Sequence, residues 1–196
     1  MTQSSAPRPT LVSWVTHLTD IEREIARHIG AFMDERGRQM QGHWHGRDID
    51  NRDIHGFGLT GEIAFCKLGG IYWHPTVNTF HDHPDIQPDV QIRTAREHSH
   101  KLIIRKDDLK HHGHHRFVLM TTDSDRVLYV ARGWIQGWEA EVAAWWGDGR
   151  RRFIDDTPEG GWQPGDDPKR CKPAFFVPRG ALRSMDEFQW KGVGSE

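Results

Sequence analysis

Hydrophobic residues along the chain follow two spacings, one typical of helices and the other typical of strands. Residues 19–41 carry an apolar residue at nearly every third or fourth position, and Thr19 with Glu22 forms a capping-box pattern, so we predict a helix that packs on the core. The apolar stripe of this helix consists of Ile21, Ile25, Ile29 and Phe32. A second helix is predicted over residues 59–70, where two glycines provide the stop and Glu62 would lie in the first turn.

Strand-like segments follow, rich in β-branched and aromatic residues and separated by polar stretches. They cover residues 71–80, 89–95, 100–105, 116–122 and 126–135. Because the later joining segments are short and polar, we expect neighbouring strands to pair antiparallel. A third helix is predicted from about residue 137 to residue 146. The pattern therefore indicates an α/β (α+β) fold.

Length and composition indicate one domain with extensions. A chain of 196 residues is long enough for one core, which we place at residues 19–147. Residues 1–18 read as a disordered or extended tail, and residues 148–196 as an extension that wraps the core. No run approaches the roughly 18 apolar residues of a membrane span and no signal-peptide pattern is present, so we expect a cytoplasmic protein with no membrane partner. Cys66 and Cys171 form no paired motif, which predicts reduced thiols.

Basic side chains concentrate in the middle of the chain, although the formal net charge of the whole chain is −2. A basic surface there would suit a polyanion such as DNA, and the alternative is an ordinary solvated face. The candidate nucleic-acid contacts are Arg96, Lys101, Arg105, Lys106 and Lys110. Trp44, Trp73 and Trp134 would either stack on unpaired bases or fill the core.

The predicted strand at residues 89–95 has one polar face. Asp89, Gln91 and Arg93 alternate with apolar residues, so their side chains share a face of the strand. This pattern is typical either of a sheet with one face in solvent or of a strand that carries a binding or catalytic site. With Glu62, the carboxylates and the amide carbonyl offer oxygen ligands for Mg²⁺ or Mn²⁺, and the guanidinium would meet a phosphate.

The order of the segments GEIAF, PDV, QIRT and KLIIR followed by DD resembles the PD-(D/E)XK nuclease superfamily, and within it short phage and prophage proteins. The resemblance covers residues 57–140. It implies a restriction-endonuclease-like mixed sheet of about 4–5 strands flanked by helices, hydrolysis of DNA with Mg²⁺ or Mn²⁺, and a possible homodimer. By the resemblance, Glu62 matches the helix glutamate, Asp89 the metal-binding aspartate, Gln91 the (D/E) position and Arg93 the lysine.

Three features depart from the superfamily pattern. Glutamine at position 91 keeps a carbonyl oxygen but adds no charge, and Arg93 is a poorer proton acceptor than lysine. Asp89 stands only two residues before Gln91, so Asp85 is a competing candidate for the metal aspartate. The alternative function is therefore a catalytically inactive nucleic-acid-binding protein on the same fold.

Histidine is unusually frequent, with 14 residues in the chain. His81 and His83, near Asp82 and Asp85, would offer nitrogen and oxygen ligands for Zn²⁺ or another transition metal. This predicts a third function, a histidine-ligated metalloprotein. The HHGHH run at residues 111–115 is expected to form an exposed turn between two strands.

Overall fold

A computed structural model describes residues 14–41, 54–75, 83–147 and 174–190. Its helices are α1 (Asp20–Gln41), α2 (Ile54–Gly69) and α3 (Lys106–His112). Its strands are β1 (Val15–His17), β2 (Val90–Ala95), β3 (Leu102–Ile104), β4 (Arg116–Thr122), β5 (Leu128–Gln136), β6 (Trp146–Gly147) and β7 (Ala174–Val177). The predicted α+β class is confirmed. None of the helices in the described ranges is both long and apolar enough to cross a membrane.

The main sheet has four strands in the order β1-β5-β4-β2, and it is mixed. β1 and β4 both run antiparallel to β5, whereas β2 runs parallel to β4. The prediction that neighbouring strands pair antiparallel is therefore wrong for β2 and β3. Two parallel strands need a crossover connection, and here β3 and α3 supply it. This topology leaves β2 at the edge of the sheet.

A second sheet covers one face of the main sheet. It has the order β3-β7-β6 and is antiparallel, so residues 174–177 of the C-terminal region form its central strand. Between the two sheets lies a core of Leu102, Ile104, Phe117, Leu119, Ile135, Ala140 and Val177. In the described residues, strands of the second sheet therefore cover this face.

Helices α1 and α2 pack on the opposite face, but of the four residues in the predicted stripe of α1 only Ile29 packs against the core. Ile21, Ile25 and Phe32 are 73%, 44% and 53% exposed, and the buried side of the helix carries Ala26 and Gly30. A Cβ atom on Gly30 would lie 2.3 Å from the backbone nitrogen of Gly56 in α2. Close approach of the two backbones therefore selects small residues for the contact. The capping box at the start of α1 is confirmed, with Thr19 and Glu22 bonded reciprocally.

Other element boundaries also differ from the predictions. α2 begins at Ile54 rather than residue 59, so Glu62 lies in mid-helix and not in the first turn. Residues 71–75 have no regular structure where a strand was predicted, and residues 76–80 lie outside the described ranges. The predicted helix at 137–146 is replaced by two short 3₁₀ turns and the start of β6.

Candidate active site

A cleft of about 560 Å³ opens beside the edge strand β2. Its walls come from α2, the turn that precedes β2, β2 itself, β3 and the α3 region. Among the residues that line it are the predicted site residues Glu62, Asp85, Gln91, Arg93, His83, Lys101 and Arg105. The tertiary structure therefore brings together most of the predicted site.

Asp85 reaches the cleft because a tight turn folds the chain back along β2. Ile86 and Val90 exchange two backbone hydrogen bonds of 3.0 Å, which places Asp85 alongside the strand. The backbone N–H of Ile92 then donates to Oδ2 of Asp85 at 2.7 Å. Asp85 thus satisfies an edge amide that the ladder with β4 leaves open.

Glu62 faces the cleft from the middle of α2. The indole Nε1 of Trp73, in the segment after α2, donates to Oε2 of Glu62 at 3.2 Å. Burial, reinforced by the negative charge of Asp85, raises the pKa of Glu62 to about 8, although Trp73 and Arg93 act in the opposite direction. Glu62 therefore holds its proton at neutral pH unless a cation enters the cleft.

Burial also raises the pKa of Asp85. Arg93 and the Ile92 amide oppose this rise, and the charge of Asp108 adds to it. The pair of Glu62 and Asp85 is thus two carboxyl groups, both largely shielded from water, whose simultaneous ionisation is unfavourable. Such a pair is typical of sites that bind a cation or exchange a proton.

Arg93 lies between two carboxylates in the cleft. Its Nη1 is 3.6 Å from Oδ2 of Asp85, and its Nη2 is 3.1 Å from Oδ1 of Asp108. Nη1 also donates to the backbone oxygen of Ile92 at 3.1 Å, and the guanidinium lies 5.3 Å from the ring centre of Phe117. These contacts hold the guanidinium in a fixed position at the cleft wall.

Gln91 is buried beside Arg93 on the same face of β2. Its Nε2 lies 3.4 Å from Nδ1 of His115. With the amide nitrogen directed at His115, the carbonyl oxygen is the end of Gln91 that remains for a ligand. The role of this oxygen as a metal ligand stays a prediction from the sequence.

Asp108 and His112 also line the cleft, and neither was among the predicted site residues. Both lie on α3, where a spacing of four residues puts them on the same side of the helix. The HHGHH run was interpreted as an exposed turn, but His112 and His115 are buried and their rings stack 4.6 Å apart. The sequence did contain a signal for these two residues, because Asp108 and His112 are four positions apart in KDDLKHH, as residues on one side of a helix are.

The structure does not bring Asp89 to the cleft. This residue immediately precedes β2, and its carboxylate forms a buried ion pair with Arg116, with Nε of the arginine 3.2 Å from Oδ1. Arg116 in turn lies 4.3 Å from the ring centre of Phe188. Asp85, and not Asp89, is therefore the aspartate that stands beside Glu62 and Arg93.

Two residues of the predicted histidine metal site, His83 and Asp85, line the cleft. His83 lines the cleft and is exposed, whereas His81 lies outside the described residues. In the part of the chain that the structure describes, no three His, Cys, Asp or Glu side chains converge closely enough to hold a metal by themselves. A metal in this cleft would need further ligands from water, an amide or a substrate.

The predicted nucleic-acid contacts divide into two groups. Lys101 and Arg105 line the cleft. The other three make local contacts: Arg96 lies 5.5 Å from the ring centre of Phe57, Lys106 lies 4.5 Å from that of Trp146, and Lys110 pairs with Asp107 at 2.9 Å. Only the first group borders the carboxyl pair.

Comparisons of this chain with protein-family models, with curated proteins and with solved structures find no match.

Proposed function

We propose that this protein hydrolyses phosphodiester bonds in DNA with the help of a divalent cation. The observation that carries the proposal is the pair of Glu62 and Asp85, two shielded carboxyl groups that oppose each other's ionisation beside the guanidinium of Arg93. A divalent cation would remove the repulsion between the two carboxylates, and an anionic phosphate would match the guanidinium. Both demands are met by a metal-dependent nuclease.

The donors in the cleft fit a hard cation. Glu62 and Asp85 would hold the ion through carboxylate oxygens, and Gln91, which lines the same cleft, would add its carbonyl oxygen. Mg²⁺ is commonly held by one or two carboxylates, with water and substrate phosphate as the other ligands, so two carboxylates suffice. Bound there, Mg²⁺ or Mn²⁺ would supply positive charge for the scissile phosphate and activate a water molecule.

The side chains of the cleft would orient the substrate. Arg93 is fixed by Asp85 and Asp108, so its remaining donors would meet a phosphate oxygen without further ordering of the side chain. Lys101 and Arg105, on the wall formed by β3 and the start of α3, would bind neighbouring phosphates of the strand. A homodimer and a cytoplasmic location remain predictions from the sequence.

A second candidate is a binding module without catalysis, and the contacts of Arg93 favour it. The positive charge of Arg93 offsets the negative charge of Asp85 and Asp108, which would otherwise attract a metal ion. A guanidinium also cannot accept a proton from water. The Arg93→Lys variant separates the two candidates. In a weakened nuclease lysine should raise the cleavage rate, whereas in a binding module the variant should still not cut.

The proposed function is tested with supercoiled plasmid and with single-stranded DNA, each with Mg²⁺, Mn²⁺ or EDTA. Wild-type protein should cut in either metal and not in EDTA. Glu62→Gln and Asp85→Asn should each lower the cleavage rate on the order of 100-fold or more, because metal-assisted charge stabilisation is worth several kcal/mol. Asp89→Asn, compared at a temperature where circular dichroism shows it folded, should cut like the wild type.

Two outcomes would contradict the proposal. Cleavage that persists in Glu62→Gln and Asp85→Asn would place the chemistry elsewhere. Cleavage lost in Asp89→Asn but kept in Asp85→Asn would restore the aspartate that the sequence suggested. Salt-sensitive DNA binding with no cleavage in any metal would establish the binding module instead.

A further inference from the structure

His112 is a buried histidine that lines the candidate active site. Only 6% of the residue is exposed, and it lines the same cleft as Glu62, Asp85 and Arg93. Its Nδ1 atom is buried and has no hydrogen-bond partner among the described residues. A buried polar atom without a partner is unusual in a folded protein, and in a residue that lines a cleft it points to a ligand or a chemical role.

The surroundings of His112 keep the imidazole neutral. Burial lowers the pKa of His112, and the charges of Arg93, His111 and His114 act in the same direction. The charge of Asp108, one helical turn earlier on α3, acts in the opposite direction. On its other side the ring stacks on His115 at 4.6 Å. At neutral pH the ring therefore has one nitrogen with a lone pair that can accept a proton.

The proposed reaction needs such a group. Arg93 lies beside the carboxyl pair, but a guanidinium does not accept a proton at neutral pH. Glu62 and Asp85 are assigned to the cation, and Asp108 is engaged by Arg93 at 3.1 Å and by the backbone N–H of Arg105 at 2.9 Å. Histidine is the residue most often used for proton transfer near neutral pH.

We propose that His112 is the proton acceptor for the water that attacks the phosphodiester, an inference that rests on the proposed nuclease function. In this step the water oxygen forms a bond to phosphorus as one of its O–H bonds breaks, and that proton goes to a ring nitrogen of His112. The bond from phosphorus to the leaving oxygen breaks, and the leaving oxygen takes a proton from solvent. His112 then releases its proton to solvent, so the products are a phosphomonoester and an alcohol.

The test uses three variants of the full chain under single-turnover conditions with saturating Mg²⁺ or Mn²⁺. His112→Gln keeps a polar side chain of similar size but cannot take up the proton, and His112→Ala leaves space for added imidazole. His111→Gln is the matched control, because His111 is the exposed neighbour on the same helix. DNA binding and the thermal midpoint are measured for each variant.

We expect His112→Gln to lower the cleavage rate about 100-fold to 10,000-fold at pH 7, with DNA binding unchanged. Imidazole should restore cleavage by His112→Ala in proportion to its neutral fraction, and His111→Gln should cut like the wild type. Cleavage by His112→Gln within about threefold of the wild type would overturn the proposal and leave the nuclease function intact. If His112→Ala is folded but imidazole does not restore its cleavage rate, the ring has a packing role and the proposal is also overturned. Wild-type protein that binds DNA but cuts with neither metal would refute the nuclease function and this inference together.

Discussion

Glu62 should make the stability of this protein depend on pH in a direction opposite to that of most carboxylates. Its pKa in the folded chain is about 8, against an ordinary value near 4.5, because burial and Asp85 disfavour the charged form. Below about pH 4.5 the carboxyl is protonated in both the folded and the unfolded chain, so it does not change the free energy of unfolding. Between about pH 4.5 and pH 8 the unfolded chain ionises while the folded chain keeps the proton, so the free energy of unfolding falls as pH rises.

The Glu62→Gln variant removes this penalty and keeps an oxygen for the indole N–H of Trp73. Moving a pKa from near 4.5 to about 8 corresponds to about 5 kcal/mol, at about 1.4 kcal/mol per pH unit. Because the penalty grows with each unit above about 4.5, the variant should exceed the wild type by on the order of 3 kcal/mol at pH 7. The difference should disappear near pH 4.

The measurement is urea denaturation followed by tryptophan fluorescence at pH 4, 5.5, 7 and 9, with and without Mg²⁺. Glu141→Gln, which makes the same chemical change at an exposed carboxylate, is the control. In the wild type, Mg²⁺ should raise the free energy of unfolding at pH 7, and in Glu62→Gln it should have little effect. An advantage of Glu62→Gln that is equal at pH 4 and pH 9 would refute the reasoning, because a pH-independent gain cannot come from ionisation.

Three further predictions concern packing, the buried ion pair and the basic wall. Gly30→Ala should destabilise the protein by about 1–3 kcal/mol or more, because a Cβ atom there meets the backbone of α2 at 2.3 Å, whereas Gly58→Ala, with nothing within 4 Å, should be neutral or stabilising by thermal denaturation. Asp89→Asn should cost about 3–5 kcal/mol in urea, because it leaves a buried guanidinium without its charged partner, and a loss below about 1 kcal/mol would contradict this. Lys101→Gln and Arg105→Gln should each weaken DNA binding and reduce the slope of log affinity against log salt by about 1, as measured by fluorescence anisotropy. An unchanged salt slope in both variants would show that Lys101 and Arg105 do not contact DNA phosphates.

Local patterns predicted several features well. The capping box of Thr19 and Glu22 forms as expected, because it depends only on residues three apart in one helix. The alternation of Gln91 and Arg93 on one face of β2 is likewise a property of strand geometry. These two side chains reach the same cleft for that reason, and the α+β class follows from the same kind of local periodicity.

Local patterns gave the wrong packing face where two helices approach closely, because small residues and not the apolar stripe then form the contact. Ile21, Ile25 and Phe32 form a regular apolar stripe, yet α1 contacts α2 through its small residues because the two backbones nearly touch at Gly30. The helix α3 was missed because a short histidine-rich segment has no apolar period of its own. Its position is fixed by the crossover that carries the chain from β2 to the parallel strand β4.

The sequence by itself determined the residue types of the candidate site: the helix glutamate, the amide and guanidinium on one strand face, and two aspartates within five residues of each other. Only the tertiary structure decided which aspartate lies in the cleft. Asp85 and Asp89 differ little in local pattern, but the turn between Ile86 and Val90 directs Asp85 to the edge of β2, while Asp89 pairs with Arg116. The ion-pair partner of Asp89 is 27 residues away in sequence, so no local pattern could show that this carboxylate is already engaged.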